Sequence, residues 1–350
     1  MLLLVLNTGS TSTKVAVYEG ERCVFREEVS HSSDELGPIE AQYAMRRGVV
    51  LETLRKHGID SRELRAVAAR GGLLRPLPCG VYEVGEEMLE ELRSQKYGRH
   101  AANLCAVIAH EIAKPLGIPC FVVDPPSADE FEAIARFSGI PQLERKSKFH
   151  ALNQKAAARR AAAAVGRKYE ECNFVVAHLG GGISVSAHLR GRVVDSNNAL
   201  DGDGPFSPER SGGLPAGDLV RLCFSGRYTM DEVLQLITGK GGLVAYLGTN
   251  DARKVEQAIA GGDEHAALVY DAMAYQVSKE IAAMAAVLYC AVDGIVITGN
   301  LANSERLVER IRARISRLGR VFVYPGEDEM ECLALGTLRV LRGEEAPLRI

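Results

Sequence analysis

A glycine flanked by hydroxyl side chains follows the first apolar segment of the chain, in the stretch LNTGSTSTK from Leu6 to Lys14. Threonine or serine fills five of the six positions from 8 to 13, and Gly9 fills the other. Hydroxyls and backbone N–H groups can bind a phosphate, and a glycine lets the backbone approach it closely. The stretch lacks the phosphate-loop pattern GxxxxGK[ST], and the residues after it predict a strand and not a helix.

A second strand–turn–strand pattern, CNFVVAHLGGGISVSAHLRGRVVDSN, begins at Cys172. A constant offset of 171 residues superimposes Gly9 on Gly180 and Gly20 on Gly191 without a gap. The match in strand, loop and turn positions predicts two related halves that join near residue 150. Two such turns could bind two ends of one polyphosphate across a cleft; the alternative is a pair of ordinary hairpin turns.

A third candidate segment, VDGIVITGNLANSERLV, combines a buried strand, a polar turn and the start of a helix. The strand ends at Gly299, and either Asn303 or Ser304 could cap the helix. The free N–H groups of a helix N-terminus can bind an anion or a polar ring edge. Many α/β proteins contain such a turn, so an ordinary helix start is the alternative.

Composition limits the classes of function. The 350 residues are 47% hydrophobic, which suffices for two cores, and a formal charge of −3 disfavours nucleic acid and anionic membranes as partners. The eight cysteines contain no CxxC pair, which is typical of reduced thiols. The first apolar run lacks a basic start, and the longest apolar helix candidate, Ala266 to Val292, carries three charged residues. These features predict a soluble cytoplasmic protein.

Several blocks, among them RHAANL, KFHALNQKAAARRAA, AHLGGGISVSAHLRGRVVDSNNALDGDGPFSPERSGGLPAGDL and GEDEMECLALGTLRVLRGEE, resemble the butyrate kinases. That family belongs to the acetate kinase group of the actin-like ATPase superfamily. The resemblance covers nearly the whole chain and implies two duplicated α/β domains of the actin-like, ribonuclease H-like type. Each would contain a mixed five-stranded sheet, with nucleotide bound in an interdomain cleft. The C-terminal helix would return to the first domain, so that the domains would comprise residues 1–148 plus about 327–350, and 149–326.

The resemblance implies reversible transfer of the ATP γ-phosphate to a short-chain fatty carboxylate, giving an acyl phosphate and ADP, with Mg²⁺. A carboxylate is already ionised at neutral pH, so this phosphoryl transfer needs alignment and charge neutralisation and no general base. The expected partners are therefore a small carboxylate and an acyl phosphate, without nucleic acid or membrane. Because relatives dimerise through the second domain, we expect a homodimer or a higher homo-oligomer. The helix at 264–291 is a candidate interface, although burial in the core would explain it equally well.

The resemblance also assigns nucleotide-binding residues to the three segments above. They are Asn7, Ser10 and Ser12 in the first turn, His178, Gly180, Gly181 and Gly182 in the second, and Gly299, Asn300 and Asn303 in the adenosine segment. Asn7 would also lie near the metal. Asp124 ends a strand and is the expected carboxylate on the magnesium side, acting through water. Its alternative role is to cap the turn before two prolines.

Three further residues are candidate catalytic groups. His150 matches the histidine that supports the transferring phosphoryl group in acetate kinases, and His100 matches another active-site histidine. Arg70 is the expected cation over the carboxylate or γ-phosphate, because a planar guanidinium suits both. Without the resemblance, each histidine would be interpreted as a packed or surface group, and the arginine as a solvated residue at a strand end.

The sequence departs from the acetate kinases at three charged positions. Val67 takes the place of an essential arginine, Pro215 that of a second arginine, and Ala302 that of a metal-binding glutamate. Butyrate kinases share such departures, which favours that subgroup, and Arg210 could substitute for the second arginine. Two other residues differ from the butyrate kinases themselves: Thr8 replaces a proline, and Asn303 replaces a tyrosine.

Other functions remain open from the sequence alone. The acid could be isobutyrate, isovalerate, acetate or propionate, because one methylene changes binding by only ~1–3 kcal/mol. An actin-like nucleotide switch is an alternative from another class. A sugar kinase would need an aspartate base, for which Asp195, Asp201 and Asp203 are candidates. The acidic residues Glu327, Asp328, Glu329 and Glu331 are expected to be solvent-facing charges at the start of a helix.

Overall fold

The computed structural model describes residues 1–32 and 36–350. The chain forms two compact units. The first unit comprises Met1–Asp129 and Asp328–Ile350, and the second comprises Glu130–Glu327. Each unit is built on one mixed β-sheet.

Eleven strands form within the described ranges. They are β1 (Leu2–Thr8), β2 (Ser12–Glu19), β3 (Arg22–Ser30), β4 (Leu64–Ala69), β5 (Val81–Glu83), β6 (Cys120–Val123), β7 (Asn173–Leu179), β8 (Ile183–Leu189), β9 (Arg192–Ser196), β10 (Gly294–Gly299) and β11 (Val321–Pro325). The first sheet has the order β3-β2-β1-β4-β6-β5, and the second has the order β11-β10-β7-β8-β9.

Eleven α-helices also form in the part of the chain that is described. They are α1 (Gln42–Lys56), α2 (Glu86–Ser94), α3 (Asn103–Ala113), α4 (Ala151–Ala164), α5 (Ala216–Cys223), α6 (Met230–Ile237), α7 (Gly242–Leu247), α8 (Ala252–Ala260), α9 (Glu264–Val287), α10 (Glu305–Ile315) and α11 (Glu329–Leu341). In these same ranges, none of the helices is both long enough and apolar enough to cross a bilayer.

The two sheets repeat one topology. β1 pairs antiparallel with β2 and parallel with β4, and β7 pairs in the same ways with β8 and β10. β1 and β7 lie 171 residues apart at both ends, which is the offset expected from the sequence. Every residue of β1 after Leu2 is buried, as expected for a central strand covered on both faces. The predicted α/β fold with duplicated mixed sheets is therefore confirmed.

The first sheet has one strand more than the expected five. β5 contains three residues and pairs antiparallel with β6 at the edge of the sheet. Leu348 of the C-terminal segment bridges to Tyr82 on the other side of β5. A strand of three residues is too short to produce a recognisable alternation of apolar and polar side chains, so the sequence pattern did not reveal it.

The units divide about twenty residues before the expected joint at 148. Residues between Glu130 and 148 bond to elements of the second unit, which explains the difference. The Glu132 N–H donates to the Val194 carbonyl at 3.0 Å, and Glu130 pairs with Lys155 at 3.3 Å. Arg145 pairs with Asp195 at 2.9 Å.

The long helix α9 belongs to the core of the second unit. Met273, Ala274, Val277 and Ile281 on this helix are completely buried, and they pack with residues of β7, β8 and β10. Burial in the core therefore explains these apolar residues of α9, which is the second of the two explanations considered for this helix from the sequence.

Candidate functional site

The turn between β1 and β2 borders a cavity of about 430 Å³ in the first unit. The Gly9 N–H donates to the Ser12 carbonyl at 2.9 Å and closes the turn. Polar residues from four separate segments line this cavity, namely Asn7, Thr8, Ser10, Ser12, Lys14, Arg70, His100 and Glu329. Leu73, Ala102 and Pro126 add an apolar wall. The structure thus brings five of the residues predicted from the sequence to one cavity, together with Glu329, for which the sequence predicted no such role.

Glu329, at the first position of α11, corrects the expectation that the acidic helix start faces solvent. Its carboxylate forms an ion pair with Arg70 and accepts a hydrogen bond from Asn7 Nδ2 at 2.6 Å. Asp328 also has a partner, since it pairs with Arg26 at 2.8 Å and caps α11. No local pattern could have revealed the contact with Asn7, because 322 residues separate the two side chains.

Arg46 is a second functional candidate that the sequence did not indicate. It projects from α1, is completely buried, and donates to the carbonyls of Ser12 and Ser10 at 2.8 and 3.1 Å. It also donates to Thr13 Oγ1 at 3.0 Å and to Gln42 Oε1 at 3.0 Å. Burial lowers the pKa of its guanidinium. Arg46 therefore fixes the backbone of the first turn and places a cation directly behind it.

The protonation of His100 follows from its contacts. His100 Nδ1 accepts the N–H of Ala102 at 3.1 Å, so the proton of a neutral ring is on Nε2, 3.4 Å from Ser10 Oγ. Burial and the nearby Arg70 and Arg46 lower the pKa of His100. The ring is consequently a neutral N–H donor at pH 7.

Two predicted residues of the first unit have other partners. Ser12 Oγ donates to Glu28 Oε1 at 2.7 Å, although the serine still borders the cavity. Asp124 is not among the residues that line the cavity; its Oδ1 accepts the N–H of Gly80 at 2.9 Å. Asp124 also has a φ of 40°, a left-handed conformation that is uncommon for residues other than glycine.

The donor set fits a magnesium ion that is held mainly by phosphate and water. Mg²⁺ prefers oxygen ligands and usually keeps several waters. The cavity offers the Asn7 amide oxygen and the Glu329 carboxylate. Across residues 1–32 and 36–350, no three His, Cys, Asp or Glu side chains cluster in a way that could bind a metal without other ligands.

The second turn, Gly180 to Gly182, joins β7 to β8 and is held by the loop that follows β9. The Gly180 N–H donates to the Gly182 carbonyl at 3.1 Å, and Ser207 Oγ donates to the Gly181 carbonyl at 2.5 Å. A Cβ on Gly182 would lie 1.9 Å from Arg210 Nη1, so the guanidinium packs directly on this glycine. The structure therefore brings Arg210, the possible substitute arginine, to the second turn.

His150 and His178 stack beside this turn. Their ring centroids are 3.9 Å apart and their planes differ by 15°. His150 Nδ1 lies 2.8 Å from Ser184 Oγ, and His178 Nδ1 lies 3.0 Å from Asn153 Oδ1. His178 Nε2 lies 3.1 Å from a carboxylate oxygen of Glu327, without the geometry of a hydrogen bond.

The third segment begins where β10 ends, next to the second turn. Gly299 has a φ of 90°, and a Cβ there would lie 2.3 Å from the Leu179 carbonyl oxygen, so the position requires glycine. Asn300 Nδ2 donates to Glu327 Oε1 at 3.1 Å, and Asn303 Nδ2 donates to the Asn300 carbonyl at 2.9 Å. Of the two possible caps of α10, the structure uses the second, because Ser304 Oγ accepts the N–H of Leu307.

The three aspartates proposed as alternative bases have partners within the second unit. Asp195 accepts from Arg145 at 2.9 Å, and Asp203 accepts from the same arginine and from the Asn198 N–H. Asp201 accepts from Asn198 Nδ2 at 2.9 Å. Through these contacts the three carboxylates stabilise the region around β9 and the loop that follows it.

The fold resembles those of solved kinases along almost the whole chain. The acetate kinase of Porphyromonas gingivalis is 23% identical, with 97% of this chain and 99% of that chain covered and a TM-score of 0.79. The propionate kinase of Francisella tularensis subsp. tularensis SCHU S4 is 19% identical, with 96% of this chain and 98% of that chain covered and a TM-score of 0.72. The acetate kinase of Entamoeba histolytica is 16% identical, with 97% of this chain and 99% of that chain covered and a TM-score of 0.77. Residues 139–324, more than half of the chain, match the model of the acetokinase family, and the chain therefore belongs to that family of carboxylate kinases.

Proposed function

We propose that the protein is a butyrate kinase, which transfers the γ-phosphate of ATP reversibly to a short-chain fatty carboxylate. The observation that carries the proposal is the composition of the 430 Å³ cavity in the first unit. Arg70 and His100 supply a cation and an N–H donor, and Leu73, Ala102 and Pro126 supply an apolar wall beside them. A fatty carboxylate needs both a charged end and a dry apolar surface, and this cavity offers the two together.

The chemistry assigns a limited task to each residue. A carboxylate oxygen of the acid attacks the γ-phosphorus, the bond from phosphorus to the β–γ bridging oxygen breaks, and ADP leaves with that oxygen. Arg70 neutralises charge on the carboxylate or the phosphoryl oxygens, while Ser10 and the neutral His100 donate hydrogen bonds. Bound Mg²⁺ would screen the phosphate charges, and Asn7 and Glu329 are the oxygen donors that would hold it. Asp124, which does not line the cavity, would act on the metal only through water.

Residues of the second unit take the corresponding phosphate and adenosine roles. The N–H groups of Gly180, Gly181 and Gly182 and the guanidinium of Arg210 would bind phosphate, with His150 and His178 as ring donors. The turn at Gly299 and Asn300 would contact the adenosine. Arg210 at this turn supports the view that a different arginine has replaced the one whose place Pro215 takes.

Support for butyrate over acetate comes from the positions at which the sequence departs from acetate kinases. Val67 and Ala302 are buried and have no ionisable group, so neither can replace the arginine or the glutamate of the acetate kinases. Arg70 and Glu329 are an arginine and a glutamate, like the two acetate kinase residues whose places Val67 and Ala302 take, and both line the cavity. Because the butyrate kinases share these departures, the proposed preference is for a four-carbon acid, with isobutyrate and isovalerate as close competitors.

The test is acyl-phosphate formation trapped as hydroxamate. The full chain is incubated with ATP, Mg²⁺ and one acid of a series from acetate to valerate, plus isobutyrate and isovalerate. A maximum of kcat/KM at butyrate is the expected result. A maximum at acetate or propionate would keep the carboxylate kinase but overturn the butyrate assignment. Tight ATP binding without hydroxamate from any acid would contradict the kinase and favour the nucleotide switch.

A further inference from the structure

A chain of buried polar side chains in the second unit ends at His150. Tyr169 Oη lies 2.7 Å from His188 Nδ1, and His188 Nε2 lies 3.0 Å from Gln154 Oε1. Gln154 Nε2 lies 2.8 Å from Ser184 Oγ, which lies 2.8 Å from His150 Nδ1. The four residues behind His150 are at most 2% exposed. Each of these polar groups must find a partner inside the protein, because a buried group without one is costly.

A backbone carbonyl determines the direction of this chain. Gln154 Nε2 lies 3.1 Å from the Ser184 carbonyl oxygen, which can only accept. The amide nitrogen of Gln154 must therefore face Ser184, and its oxygen must face His188. His188 consequently donates from Nε2. Burial lowers the pKa of His188 well below the usual range, so its ring is neutral, and Nδ1 accepts the Tyr169 hydroxyl proton.

The same direction reaches the ring of His150. Ser184 Oγ accepts one proton of the Gln154 amide, and it also lies 3.4 Å from the backbone N–H of His150. Its own single proton then points to His150 Nδ1, which must accept. The ring proton of a neutral His150 is therefore on Nε2.

The stacked neighbour acts in the same sense. Two protonated imidazoles with centroids 3.9 Å apart would repel each other. The stack therefore disfavours charge on both rings at once. A second proton on His150 would also force Nδ1–H against Ser184 Oγ, whose two acceptor positions already face the Gln154 amide and the backbone N–H of His150.

We propose that Tyr169, His188, Gln154 and Ser184 are positioning residues that hold His150 as the neutral tautomer with its proton on Nε2. That N–H is the group that would donate to the transferring phosphoryl oxygen, a second claim that rests on the proposed function. His150 would then stabilise developing charge as a fixed hydrogen-bond donor, and it would not transfer a proton during the reaction.

The direct test is the tautomer of His150 in the ligand-free full chain. Histidine is labelled with ¹⁵N, and the ring nitrogens are classified by NMR at neutral pH, with His150→Gln to assign the signals. An unprotonated Nδ1 and a protonated Nε2 are expected. An imidazolium, or a ring with its proton on Nδ1, would overturn the proposal, and His150→Gln serves only to assign the signals.

Variants of strand β8 separate positioning from packing. Ser184→Ala removes the proton that faces Nδ1, and we expect a mixture of the two tautomers together with a kcat about tenfold lower and an unchanged KM for ATP. Ser184→Thr keeps the hydroxyl and should restore both. The matched control is Ser186→Ala, which removes a buried hydroxyl from the same strand that bonds Ser196 at 2.8 Å. It should leave the tautomer and kcat unchanged.

The outcomes distinguish the two proposals. An unchanged tautomer in Ser184→Ala, or an equal loss of kcat in Ser186→Ala, would contradict the positioning role while leaving the kinase intact. The expected tautomer in a protein that forms no hydroxamate would support the hydrogen-bond chain and overturn the proposed function.

Discussion

Arg70 illustrates how one residue can depend on a distant charge. It directly follows β4, and its guanidinium is paired with Glu329 of α11. Because a guanidinium has five N–H donors, Arg70 can pair with Glu329 and still bind another carboxylate or a phosphate. The side chain is 26% exposed and borders the cavity, so a small anion can reach it.

Arg70→Gln should lower kcat/KM for the acid by about 100-fold, as loss of one charge-stabilising group does in other active sites. The measurement is hydroxamate formation with butyrate. Arg75→Gln is the matched control, since Arg75 pairs with Glu87 and Glu91 in the same unit away from the cavity. Similar losses in both variants would mean that Arg70 acts through the stability of the unit.

Glu280 couples the stability of the second unit to pH. Burial and the nearby Asp203 raise its pKa to about 7, while Arg145 opposes the shift and Asp195 reinforces it. Between its ordinary pKa of 4.5 and about 7, the folded state binds more protons than the unfolded state. The contribution of Glu280 to stability is therefore present at low pH and is lost as the pH rises through this window.

Glu280→Gln should remove that dependence. The free energy of unfolding of the variant minus that of the wild type should increase by up to roughly 3 kcal/mol between about pH 5 and about pH 8, because only the wild type loses the contribution of Glu280. Thermal unfolding at the two pH values measures the difference. Glu264→Gln, an exposed carboxylate at the start of the same helix, controls for loss of one charge. Parallel pH profiles for wild type and Glu280→Gln would contradict the prediction.

At the scale of elements, a helix supports each of the two glycine-containing turns from behind. Arg46 of α1 holds the carbonyls of the first turn, and Gln154 of α4 holds Ser184 next to the second. The turns are therefore positioned by side chains of helices that contribute nothing to the cavity itself. Such support is what a turn needs if its N–H groups are to remain aimed at an anion.

Arg46→Lys should weaken ADP binding about tenfold, because a lysine cannot make all of the hydrogen bonds that the guanidinium makes. Calorimetric titration of the full chain with ADP is the measurement. The control is Arg55→Lys on the same helix, where the arginine is exposed and pairs with Glu52. Unchanged ADP affinity in Arg46→Lys would show that the turn keeps its shape without this support.

Gly299 tests the junction between β10 and the second turn. Gly299→Ala combines an unfavourable φ with a contact of 2.3 Å to the Leu179 carbonyl oxygen. Gly262→Ala has a similar φ of 94° but nothing within 4 Å, so it isolates the backbone cost of ~1–3 kcal/mol. We expect Gly299→Ala to lower the thermal midpoint and ADP affinity more than Gly262→Ala does. Equal effects would show that the contact relaxes without cost.

At the scale of the whole molecule, the chain returns to its first unit at the end. Met330, Leu333, Ala334 and Leu338 of α11 are at most 1% exposed, and burial of such side chains stabilises by ~1.5–3 kcal/mol each for the larger ones. Gly336 allows a close approach, since a Cβ there would lie 2.4 Å from Val123 Cγ1. The first unit is thus assembled from both ends of the sequence.

A chain truncated after Glu327 should leave the first unit sensitive to protease while residues 130–327 stay resistant. Limited proteolysis followed by mass spectrometry identifies the surviving fragment. A chain truncated after Gly343 keeps α11 and loses only the last seven residues, and it should show a much smaller effect. Resistance of the first unit in the shorter chain would mean that α11 is dispensable for its fold.

Much of the fold follows from local sequence. The order of strand, glycine turn and strand could be predicted for both halves, because apolar periodicity and glycine at positive φ are local properties. Gly20 and Gly191, with φ of 58° and 85°, mark corresponding turns 171 residues apart. The short strand β5 and the helix α1 carried no signal of this kind, and the joint of the units depends on contacts made by the segment after Asp129.

The sequence by itself therefore determined the duplicated α/β plan, the two turns and the family resemblance, since each is written in contiguous residues. Only the tertiary structure decided which charges meet the turns. Glu329 reaches Asn7 across 322 residues, and Arg46 reaches Ser12 across 34. The direction of the hydrogen bonds behind His150 depends on one carbonyl of a neighbouring strand. Such contacts depend on how helices and strands pack, and residue spacing along the chain does not specify that packing.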